Sequence, residues 1–105
     1  MTKQYYVYCL ANSKNRVTHI GVTSNLVRRI HDHRAMLRAQ VHTKSATIKL
    51  IYYEMVENLY AAQDREKELK SFRWTKKHSL INAFNPKWAD LWPNLIQDME
   101  EPSLA

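Results

Sequence analysis

Residues 19–34, HIGVTSNLVRRIHDHR, hold three arginines, three histidines and the only glycine of the chain. Guanidinium groups grip phosphate oxygens, and imidazoles exchange protons near neutral pH. Leu26, Ile30, His33 and Leu37 recur at helical spacing, so His33 points inward or to the edge of a cleft. There it is either a satisfied core group or a working one. Arg29 lies one turn before His33 on the same side. His31 and His33, two apart, diverge on a helix and make a poor zinc pair. A second oddity is Glu66, which falls inside the apolar stripe Leu59, Ala62, Leu69 and Phe72. A half-buried carboxylate costs several kcal/mol unless it is paired or binds a metal. Lys70, four residues on, supplies the plain pairing.

The 105 residues suit one domain, and their net charge of +6 is uneven. Residues 1–50 carry nine Lys/Arg against Asp32 alone, whereas residues 91–105 carry three acidic groups and no base. Such asymmetry points to a phosphate-bearing partner. Cys9 is the only cysteine, which excludes a disulfide framework and a multi-cysteine zinc site. A reducing, cytoplasmic setting is expected. No apolar run approaches the ~20 residues of a bilayer span, so no membrane role is expected. The start MTKQYYVYCL resembles a first strand more than a secretory signal.

Several elements must position these groups. YYVYCL (5–10) and RVTHIGV (16–22) read as strands joined by the turn-forming ANSKN, hence a hairpin. Tyr6 and Tyr8 share a face, and so do Val17, His19 and Gly21. A helix capped by Thr23 or Ser24 runs to about residue 40. A polar link follows at 41–46, and TIKLIYYEMV (47–56) is the third strand. A helix at 59–73 and a short one over KKHSLINAF come next. Asn85-Pro86 reads as the start of a last helix, reaching about Met99 and interrupted at Pro93. Trp74, Trp88 and Trp92 read as core or lid residues, the last two as an i,i+4 pair. The order ββαβαα plus a C-terminal helix makes an α+β fold with a small antiparallel sheet. A single domain is expected over 1–99, with 100–105 a frayed tail.

YVY at 6–8, HIG at 19–21, then VTSNLVRR, REKELK at 65–70 and NPKWADL at 85–91 together resemble the GIY-YIG nuclease superfamily, in its small single-domain bacterial branch. The motifs occur in order across residues 5–91. The resemblance implies a three-stranded antiparallel sheet flanked by helices. It also implies divalent-metal-dependent hydrolysis of DNA phosphodiesters, with Mg²⁺ or Mn²⁺ as cofactor and a place in DNA repair or recombination. By position, Tyr8 would touch the attacking water or its proton, and Arg29 would bind the scissile phosphate. Glu66 would be the sole protein ligand of the metal, and Asn85 would hold phosphate or local structure. His33 would orient a neighbour or contact phosphate; with Arg28, Arg34, Arg38 and Lys44 it completes the expected DNA-binding set. Gly21 would leave room for a phosphate or a neighbouring helix, or else mark a strand-end bulge.

Two positions depart from the pattern. Tyr6 replaces a glycine, and His19 stands where the family has its second-motif tyrosine. A neutral imidazole there could accept a proton from water, or the site could be retired, or His19 could simply pack. Three readings follow: an endonuclease of low intrinsic sequence specificity, an altered or inactive nucleic-acid-binding module, and a subunit that docks on a larger protein through the Trp88/Trp92 face.

Overall fold

The computed structural model of the protein describes residues 4–40 and 48–100. Its strands are β1 (Tyr5–Asn12), β2 (Val17–Thr23) and β3 (Ile48–Val56); its helices are α1 (Leu26–Gln40), α2 (Leu59–Ser71), α3 (Trp74–Phe84) and α4 (Trp92–Glu100). The strands form one antiparallel sheet in the order β2-β1-β3. The α+β architecture with a three-stranded sheet is the expected one.

Local chemistry explains the joints. Asn12 caps the first hairpin through its side-chain oxygen, which accepts from the backbone N–H of Lys14 and of Arg16. Asn15 takes the positive φ of 59° that the turn needs, a conformation asparagine tolerates. Asn25, rather than Thr23 or Ser24, caps α1 by accepting from the Arg28 N–H. Thr23 instead braces the turn, bonding to both ends of Asn25. Asn58 caps α2 by accepting from Ala61 N–H at 2.8 Å.

Strand alternation splits the core in two. Val7, Cys9 and Ala11 pack with Ala62 and Leu69 of α2 and Ile81 of α3. Tyr8 and Leu10 pack with Leu26 and Ile30 of α1, with Leu95 of α4 alongside. Each face of the central strand is thus covered by a helix pair. The β1–β2 register slips by one residue at Thr18, and the β1–β3 register slips at Ile51. Both slips matter. The extra residue in β3 sends Leu50 to one core and both Ile51 and Tyr52 to the other. The slip in β2 parts Val17 from His19, contrary to the simple alternation expected from the sequence. Val17 packs on the α2–α3 side, whereas His19 meets Tyr8, which belongs to the α1 side.

Residues 85–91 do not begin a helix. They run along the free edge of β3, where Leu91 N–H donates to Leu50 O at 2.8 Å and Leu50 N–H donates to Asp90 Oδ1 at 3.1 Å. Trp88 adopts a left-handed φ of 50° there. That conformation is costly for a bulky residue and is offset by burial of the ring. α4 starts only at Trp92. Pro93 sits in its first turn, where a missing N–H breaks no helical bond, so it does not divide the helix. Trp88 and Trp92 belong to opposite cores, so the shared docking face expected of them is absent. The tail at 101–105, the link at 41–46 and Lys44 lie outside the described residues.

Candidate active site

The site is built where β1 crosses β2. Tyr8 pairs with Gly21 across the two strands. With no side chain at position 21, the Tyr8 ring lies over the β2 backbone. A Cβ on Gly21 would fall 2.7 Å from Tyr8 Oη and 2.9 Å from His19 Nε2, closer than carbon atoms approach such groups. The glycine therefore makes room for a tyrosine and a histidine of its own sheet. The register slip lies at Thr18 and not at Gly21.

Leu26 and Ile30 bury one stripe of α1 against the sheet, which aims Arg29 and His33 at the same corner. Arg29 Nε donates to Tyr8 Oη at 3.2 Å. His19 Nε2 lies 3.3 Å from the same oxygen. The His33 ring stands 5.4 Å from the His19 ring. Arginine can only donate, so Tyr8 Oη accepts from Arg29 and its own proton is free for His19 Nε2. That arrangement suits a neutral His19 protonated on Nδ1. Burial is the largest cause pushing the His19 pKa below its ordinary value of 6.5, followed by the charges of His33, Arg29 and Lys70; Glu66 opposes them. Burial and Arg29 likewise lower His33. The hydrogen bond to Tyr8 raises Arg29 further above its ordinary value, so its cation persists at any working pH.

α2 brings the carboxylate. Ala62 and Leu69 are buried, and Glu66 between them is about three-quarters buried, with Lys70 Nζ at 3.5 Å from its Oε2. The field of Glu66 at His19 places the α2 carboxylate within electrostatic reach of the Tyr8–His19–Arg29 cluster. Lys70 is a member of this charge group that sequence reasoning assigned only to pairing; its opposing effect on His19 needed the α2–β2 packing to be seen.

The remaining expected site residues lie elsewhere or are used differently. Arg28 is exposed and pairs loosely with Asp32 at 3.6 Å, a contact worth little in water. It stays open to a polyanion. Arg34 was expected on the open basic surface but is held internally. It pairs with Asp90, donates to Ile48 O at 2.8 Å and lies 4.5 Å over the Trp92 ring. The reason is position: five residues after Arg29, it has turned from the cluster toward α4. Asn85 is buried. Its amide nitrogen donates to Ile51 O at 3.1 Å and Ala89 O at 2.8 Å, and its oxygen accepts from Ala89 N–H at 3.2 Å. Both amide protons are spent on backbone, so of its two expected roles Asn85 fills the structural one. Arg38 lies on α1, with its side chain outside the described set. His31 stacks on Trp92 at 6.3 Å, away from His33.

A β-hairpin, a basic helix and a third strand, with a tyrosine–histidine–arginine cluster and a largely buried glutamate on the next helix, define a small nuclease-like α+β domain. The family model for the GIY-YIG catalytic domain matches residues 4–82, and the chain belongs to that family. It is 35% identical over 78 residues to a UPF0213 protein of Clostridium perfringens, covering 74% of this chain and 83% of that one. It is 31% identical over 81 residues to a UPF0213 protein of Natronomonas pharaonis, covering 77% and 94%. The solution structure of a UPF0213 protein from Bacillus halodurans superposes with a TM-score of 0.53 at 23% identity, over 81% of this chain and 89% of that one. That likeness shows the fold. Among the described residues no helix is long and apolar enough to cross a membrane.

Proposed function

We propose that this chain is a divalent-metal-dependent endonuclease that hydrolyses DNA phosphodiester bonds, with His19 as general base. The observation that carries the reading is the hydrogen-bonded line from Arg29 through Tyr8 to His19, drawn over a glycine that only this arrangement requires. Tyr8 is fully buried, whereas His19 is half-buried and Arg29 exposed, so of the tyrosine and the histidine it is His19 that meets water. Its Nε2, unprotonated, exchanges the Tyr8 hydroxyl for the attacking water and accepts a proton from it as the water oxygen bonds to phosphorus and the phosphorus–oxygen ester bond breaks. Arg29 spends its Nε–H on Tyr8 and keeps the Nη donors for the phosphoryl oxygens, whose charge grows in the transition state. Tyr8 positions both neighbours.

Among the described residues no three His, Cys, Asp or Glu side chains gather as a ligand set. Glu66 then offers one anionic ligand. One carboxylate with water fits Mg²⁺, or Mn²⁺, which retains most of its hydration shell. When bound there, such an ion supplies charge neutralisation at the phosphoryl group. Arg28 projects into solvent from α1 beside the cluster, where it can meet a backbone phosphate, which supports binding with low sequence specificity.

Supercoiled plasmid nicking tests this directly. The wild type should nick with Mg²⁺ or Mn²⁺; Glu66→Ala should lose cutting while keeping most DNA affinity. Equal cutting by both proteins would overturn the assignment. The Glu66–Lys70 pair favours a second reading, in which the carboxylate is neutralised and the domain binds nucleic acid without cutting it. Any cleavage that disappears in Arg29→Ala rejects that reading.

A further inference from the structure

A groove of about 640 Å³ opens at the hairpin tip, on the side of the sheet that carries α3, lined by Lys14, Arg16 and Lys77 and by Trp74, His78 and Trp88. Its size falls within the range of small-ligand sites. Its composition is unusual in two respects. Trp74 keeps 66% of its surface exposed at the start of α3, against the expectation that it is core or lid. The three cations have no carboxylate partner among the described residues.

The aromatic wall is held in place. Trp74 stacks on His78 with centroids 4.7 Å apart and planes 26° apart, and His78 lies 4.8 Å from Trp88. An indole N–H only donates. Trp88 Nε1 therefore fixes Asn82 Oδ1 toward itself and leaves Asn82 Nδ2 to donate to His78 Nδ1 at 3.1 Å. That places the His78 proton on Nε2, with the ring held 26° from the Trp74 plane. Lys49 ties the floor together by donating to Trp88 O at 3.0 Å and to Asn15. An exposed flat indole backed by a fixed imidazole, with free ammonium and guanidinium groups around it, has the chemistry of a base-stacking platform with phosphate contacts. Val17, which also lines the groove, lies two residues before His19 on β2, but the register slip at Thr18 turns the two side chains to opposite sides of the sheet.

We propose that this groove binds an unpaired stretch of single-stranded DNA, one base stacked on Trp74 and its flanking phosphates on Lys14, Arg16 and Lys77. The single-stranded flank of a branched or frayed substrate would reach the groove by passing round the outer edge of β2 from a duplex portion at the cluster around Arg29. The proposal rests on the reading that the substrate is DNA, but its test does not need cutting.

A fluorescein-labelled oligothymidylate of about ten nucleotides is titrated with the full chain in chelator, so that no cleavage intrudes. Trp74→Ala should weaken binding about ten-fold and Trp74→Phe less than about three-fold, because one base–aromatic stack is lost or reduced. Lys77→Gln should lower the salt slope by about 0.7. Circular dichroism should show all three variants folded like the wild type. Oligothymidylate affinity unchanged in Trp74→Ala would overturn the proposal, and so would an equal loss of affinity for heparin, a polyanion without bases. Trp74-dependent binding in a protein that never nicks plasmid would keep the groove and discard the nuclease reading. Glu66-dependent nicking with Trp74-independent oligonucleotide binding would do the reverse.

Discussion

His19 carries the largest departure from the family pattern, and its surroundings decide what it can do. Every cation around it, together with burial, disfavours the imidazolium, and only Glu66 favours it. Its folded pKa therefore lies below 6.5. Between that value and 6.5 the unfolded chain binds more protons, so His19 lowers stability as pH falls through this window and leaves it unaffected above 6.5. The rate should follow the same group. The acid limb of plasmid nicking should lie below pH 6.5, and Arg29→Lys, which keeps the charge but not the fork, should leave that limb low while slowing the rate. His19→Tyr should remove the limb. A rate profile across pH 5–8 checks this, and an acid limb above 6.5 would remove His19 as the base. The cluster was half legible beforehand. His33 and Glu66 announced themselves by breaking apolar stripes, and Arg29 by lying one turn before His33. The reason for Gly21 did not, because it depends on which residue of β1 lies across from it.

At the scale of elements, the third strand depends on a loop. Leu50 and Ile51 find partners in Asp90, Leu91 and Asn85 rather than in a fourth strand. This covers a sheet edge that would otherwise be open to pairing. Hydrophobic periodicity located the three strands and α2 closely, since those elements are made by local pattern. It failed at Asn85-Pro86. The pair has the form of a helix start, but the Asn85 amide is consumed by a strand thirty-four residues away. No local rule contains that bond. Asn85→Ala should strand the Ile51 carbonyl and both groups of Ala89, costing about 2 kcal/mol in urea unfolding. Nicking per folded molecule should stay within about three-fold of the wild type. A residue that bound phosphate would show the opposite split, with intact stability and a lost rate, and that outcome would return Asn85 to the catalytic set.

For the molecule as a whole, net charge is a poor guide to which cations are free to meet a polyanion. Residues 1–50 hold most of the positive excess, yet the fold divides it. Arg28 projects into solvent, Arg29 is tied to the cluster, and Arg34 is consumed by Asp90, Ile48 and Trp92. Lys14 and Arg16 face the groove beside α3. Sequence showed the excess; only the packing of α1 against α4 shows how it is partitioned. Each phosphate contact contributes about one counterion to the salt dependence of duplex binding. Arg28→Gln should therefore reduce the slope of log affinity against log salt by about one, with stability unchanged. Arg34→Gln should do the reverse. Its slope should match the wild type, while unfolding free energy falls by about 2 kcal/mol. That figure is discounted from a fully buried pair because Arg34 and Asp90 remain 19% and 25% exposed. Fluorescence-anisotropy titrations of a duplex at several salt concentrations, paired with urea denaturation, separate the two residues. A reduced slope for Arg34→Gln with intact stability would mean that the Asp90 pair opens on DNA and releases the guanidinium to the backbone.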